Sequence, residues 1–103
     1  MKTKQVRPWE IPVAEAVRRV EKMIDACVKY SRGYITFDQL WYRCRGDRNN
    51  YASHKIEDKR LAYLLFQLNM DFMCWRGERD DMIQQSALQV VEWVGSQNKK
   101  TAS

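Results

Sequence analysis

Four glycines punctuate this chain, Gly33, Gly46, Gly77 and Gly95, and each closes a stretch whose apolar residues recur at helical spacing. Glycine is favoured just past a helix end because it reaches the left-handed region without a Cβ clash. The coincidence predicts an all-α fold. The expected form is a compact bundle of four helices, over about residues 12–32, 36–45, 54–76 and 80–94, with a long central third helix.

In the first segment Val13, Val17, Val20, Ile24, Cys27 and Val28 make one helical face. Pro12 suits its first turn, where a missing N–H costs nothing. Arg18, Arg19, Glu21, Lys22 and Asp25 fall off that stripe and are expected in solvent. In the second segment Phe37, Leu40, Trp41 and Cys44 form the stripe, and Thr36 with Gln39 has the spacing of a capping box. Arg43 and Arg45 fall in its last turn, where cations complement the helix dipole.

The third segment is apolar on two faces. Leu61, Leu64, Leu65, Leu68, Phe72 and Trp75 make one stripe; Ile56, Tyr63, Phe66, Met70, Met73 and Cys74 make another on the opposite side. Such a helix needs cover on both sides. Helices one and four could supply it; otherwise Tyr63, Phe66, Met70 and Met73 become a dimer seam or a docking surface for another protein. Ser53 is the expected N-cap. A competing pattern ends this helix near Asn69 and builds a winged helix-turn-helix with a hairpin over 70–83. In the fourth segment Ile83, Ala87, Val90, Val91 and Val94 form the stripe, capped by Asp80 or Asp81. Residues 1–11 read as an arm anchored by Trp9 and Ile11, residues 12–95 as a single helical domain, and residues 96–103 as a polar, basic, frayed tail.

The 103 residues fit one domain, and 45% hydrophobic with 30% charged residues is an ordinary globular composition. No apolar run approaches the ~18 residues of a membrane span, and no apolar core follows the basic N-terminus, so neither a membrane nor a secretory signal is expected. Three cysteines, Cys27, Cys44 and Cys74, are odd in number and lack CxxC pairing. That excludes a disulfide framework or a zinc site and favours a reducing, cytoplasmic setting. Thiols on apolar stripes are expected to be packed and inert.

No catalytic residue, cofactor, metal or small-molecule substrate is inferred. His54, the sole histidine, stands near Glu57, Asp58 and Lys59, but no second histidine or paired cysteine completes a metal site. The chain has no Gly-rich phosphate loop, nucleophile elbow or triad pattern.

A net charge of +5 favours polyanionic partners, nucleic acid above all. The basic segment "RCRGDRNNYASHK" is the functional lead. Arg43, Arg45, Arg48, His54, Lys55, Lys59 and Arg60 can neutralise phosphates, and Asn49 and Asn50 can read adenine edges. A short helix, a turn and a second helix entering with polar residues resembles a helix-turn-helix. The resemblance implies a DNA-binding regulator, although Trp41 and Tyr42 stand early where the motif places a small residue, and the connection from Gly46 to Ser53 is long. The alternative is a protein-binding adaptor or inhibitor of host nucleic-acid-processing or defence machinery, of the kind phages and mobile elements encode.

Overall fold

The computed structural model describes the backbone of residues 10–102 and the side chains of residues 10–97. Five helices follow one another among the described residues: α1 (Val13–Ser31), α2 (Phe37–Cys44), α3 (Asp47–Ser53), α4 (Lys59–Trp75) and α5 (Asp80–Ala102). No strand interrupts them, so the hairpin alternative over 70–83 does not form. Residues through Trp75 continue α4, and a tight turn follows in which Gly77 N–H donates to Asp80 Oδ1 at 2.7 Å.

Side-chain caps account for the starts of α2 and α4. Thr36 and Gln39 close the expected capping box: Gln39 N–H donates to Thr36 Oγ1 at 3.2 Å, and Thr36 N–H donates to Gln39 Oε1 at 2.8 Å. At α4 the expected cap is corrected. Asp58, not Ser53, accepts from Leu61 N–H at 2.9 Å. Ser53 is fully buried as the last residue of α3, and its hydroxyl donates to the Asn50 carbonyl at 2.6 Å. The expected third helix, 54–76, is therefore shorter at its start, and the supposed loop before it is a helix of its own. A carboxylate at Asp58 offers the N-terminal amides a stronger acceptor than a serine hydroxyl does.

The glycines divide. Gly33 and Gly77 follow α1 and α4 with φ of 77° and 87°, in the region that favours glycine. Gly46, at φ 122°, sits between α2 and α3 and serves as the N-cap residue of α3. Gly95 ends nothing: α5 runs through it to Ala102, so the expected boundary at 94 and the expected frayed tail from 96 are corrected.

Packing starts from α1, which rests on α2, α3 and α5, while α4 lies along α5 and touches α3. The buried face of α1 is Ala16, Val20, Met23, Ala26 and Cys27. This face is turned by roughly a fifth of a turn from the valine stripe, at 100° per residue, and leaves Val13 65% exposed. Ala16 and Ala26 are fully buried on this face, while Val17 as well as Val13 is left exposed. Met23, Leu40, Leu65, Leu68, Ile83 and Val90 fill the centre. Tyr30, Phe37 and Phe72 stack in sequence, with centroids 6.0 and 5.4 Å apart. Between α4 and α5 the buried carboxylate of Asp71 accepts hydrogen bonds from Ser86 and Gln67. Ile11 is buried in the core, as expected; Trp9 lies outside the described residues.

Gly95 gives a direct check on this architecture. It is exposed within a helix, and a Cβ there meets nothing within 4 Å. Gly95→Ala is expected to stabilise the protein by about 0.4–1 kcal/mol in urea unfolding. A glycine acting as a left-handed helix terminator would instead make the same change destabilising.

Candidate nucleic-acid interface

The site begins with the end of α2. A helix terminus leaves carbonyls without intrahelical partners. Here a single side chain gathers three of them: Asn49 Nδ2 lies 2.9 Å from the Arg45 carbonyl, 3.2 Å from Cys44 and 3.4 Å from Arg43. Asn49 Oδ1 accepts from Arg19 Nη1 at 3.1 Å, and Arg19 Nε donates to Glu15 Oε1 at 3.2 Å. Arg48 Nη2 reaches the other oxygen of Glu15 at 2.8 Å. The Arg48 hydrogen bond foremost, helped by that of Arg19, lowers the Glu15 carboxyl below its ordinary pKa against the opposing effect of desolvation. The chain of contacts fastens α3 and the end of α2 to α1.

Beside this staple an open groove of about 340 Å³ runs between α1 and the end of α2. Arg18, Arg19 and Lys22 line it from α1; Tyr42, Arg43 and Arg45 line it from α2 and its C-cap. Glu15 is the sole acid on its walls, and that carboxylate is already held by Arg19 and Arg48. Arg18, Lys22, Arg43 and Arg45 have no ion-pair partner among the described residues. Lys22 and Arg43 also line an adjoining recess with Lys29 and Asp25, which pair at 3.0 Å, so the basic strip extends along α1.

Tyr42 is the aromatic residue on the groove's walls, and Trp41 lies beside Tyr42, outside the groove lining. Arg45 and Arg76 place their guanidinium carbons 4.4 and 3.8 Å from the Trp41 ring centre. Arg45 also lies 5.1 Å from the Tyr42 ring, which meets Trp41 edge-on at 5.1 Å. Arg76 is fixed by Asp38 at 2.5 Å.

The residues expected to bind nucleic acid are therefore scattered in role. Arg43 and Arg45 stand in the groove. Arg48, expected free, is tied to Glu15; Asn49, expected to read bases, is 8% exposed and occupied by backbone. Asn50 is half-buried on α3. His54, Lys55 and Lys59 are exposed, but His54 lies against Phe66 at 5.3 Å and Lys59 Nζ donates to the Ile56 carbonyl at 3.3 Å. Of α3, Asp47 is exposed, Arg48, Asn50 and Tyr51 are half-buried, and Asn49, Ala52 and Ser53 are buried. Sequence reasoning missed Arg18 and Lys22, set aside as solvated. Their spacing of four residues, placing both on one helix face, was the available signal.

On the opposite side of α4 from its buried leucines, the second stripe remains partly open. Tyr63 is 55% and Met73 66% exposed, while Phe66 and Met70 are half-buried. Cys27 and Cys44 are buried neighbours; the Cys44 sulfur and burial push the Cys27 thiol well up, so it stays protonated. Cys74 is exposed. Among the described residues no group of three His, Cys, Asp or Glu side chains could hold a metal ion, and no helix is long and apolar enough to cross a membrane.

Asn49→Ala separates structural from recognition roles. It strands three carbonyls and Arg19, so stability to urea should fall by about 1–3 kcal/mol. Lys55→Ala should stay within about 0.5 kcal/mol of the parent. The chain matches no protein-family model, no curated protein and no solved structure, which leaves the groove's own residues to carry a functional reading.

Proposed function

We propose that this chain is a non-enzymatic nucleic-acid-binding protein that holds the phosphate backbone along the groove between α1 and the end of α2. The observation that carries this reading is the set of cations there that have no ion-pair partner among the described residues. Arg18, Lys22, Arg43 and Arg45 face one groove, and its single carboxylate is spent on the two arginines of the staple. Cations brought together without counter-charges repel one another, and a polyanion relieves that repulsion. Phosphate contacts position a protein on nucleic acid without reading sequence. The buried amide of Asn49 is consistent with recognition of that kind.

The test is the salt dependence of binding to a duplex of mixed sequence. Lys22→Ala with Arg43→Ala should weaken affinity and flatten the slope of log affinity against log salt by up to about two units. Lys55→Ala with Lys59→Ala should leave the slope as in the parent. If the first pair binds like the parent and the second does not, the phosphate track lies along the α3–α4 turn instead.

The open stripe on α4 supports a second reading, a protein partner or a second copy of the chain. Met73, Tyr63 and the arginine-flanked Trp41 belong to the residue types enriched at interfaces. Covering apolar area is favourable at about 25 cal/mol per Å². Sedimentation at rising concentration should then show association that Met73→Lys abolishes. A parent that stays monomeric at high concentration removes the homodimer.

A further inference from the structure

The groove has a feature that phosphate binding does not require. Tyr42 lines it among the cations and is 66% exposed. Exposed tyrosines are common, but this ring is constrained. Trp41 meets it edge-on, with planes at 67°, and the Arg45 guanidinium lies 5.1 Å from its centre. Trp41 is itself flanked by Arg45 and Arg76, and Arg76 is anchored to Asp38. An aromatic ring fixed beside a track of unpaired cations has the two elements by which proteins hold single strands: charge for the backbone and a π-face for a base.

We propose, building on the groove reading, that the preferred ligand is single-stranded nucleic acid, with one base stacked on Tyr42 and the adjacent phosphates on Lys22 and Arg43. In a duplex each base is already stacked and paired. Presenting one to Tyr42 requires flipping it out, at a cost of a few kcal/mol. A single strand turns an unstacked base to the ring without that cost. Stacking is tolerant of base identity, so the preference is for strandedness, not for a sequence. Arg45 contributes twice, as a cation on the groove and as the group that orients both aromatic rings.

The experiment compares a fluorescein-labelled oligothymidylate with a duplex of equal length, using the full chain. The parent should bind the single strand more tightly. Tyr42→Ala should weaken single-strand binding by roughly five-fold to a hundred-fold, the contribution of one stacked base, and weaken duplex binding far less. Tyr42→Phe should retain the preference, since the ring and not the hydroxyl is used. Lys22→Ala with Arg43→Ala should weaken both ligands. Unfolding curves matching the parent's verify that Tyr42→Ala is folded. If Tyr42→Ala binds the single strand like the parent while the cation pair weakens both ligands, stacking is overturned and the groove reading stands. If the cation pair leaves both ligands unaffected, or the parent binds neither, both readings fall.

Discussion

The amide of Asn49 is the contact around which this molecule is arranged. Three carbonyls at the end of α2 converge on its nitrogen, and its oxygen takes a hydrogen bond from α1. Buried polar backbone must be satisfied, and α2 does not do this from within its own segment. The partner arrives from α3 because Gly46 turns the chain sharply enough for α3 to begin at once. Docking α3 on α1 then brings Arg48 to Glu15 and closes the staple.

That staple also decides how charge is distributed. Two arginines share one carboxylate in the staple, so between them they present one net positive charge to the surroundings in place of two. The cations not recruited, Arg18, Lys22, Arg43 and Arg45, are left on one side of the same junction. Structural and exposed cations lie next to each other in part because α1 supplies members of both sets. Arg19 is bonded to the amide at the groove's edge, whereas Arg18 and Lys22 line the groove without an ion pair.

Legibility in the sequence followed range. The capping box of Thr36 and Gln39 depends on residues three apart and could be read directly. So could the leucine stripe of α4 and the all-helical fold class. Helix α3 could not, because "DRNNYAS" carries no apolar period and its stability comes from contacts with α1 and α4. Gly95 misled because an exposed glycine inside a helix looks like one just past its end; only the following residues' backbone distinguishes them. The groove was half visible. Arg43 and Arg45 stood out as a local cluster, but their companions Arg18 and Lys22 come from a distant segment. The contacts of Asn49 were hidden for the same reason: base-reading and backbone-capping amides are the same residue until their neighbours are known.

The length of α2 has a thermodynamic consequence. Eight residues are too few for a helix to persist alone in water, so α2 exists only while α1 and α3 hold it. Arg43 is part of that borrowed helix, and Arg45 caps it. The groove therefore vanishes on unfolding instead of surviving as a local patch. Any anion that depends on the assembled groove binds the native state alone, and mass action makes its concentration a determinant of how much chain is folded.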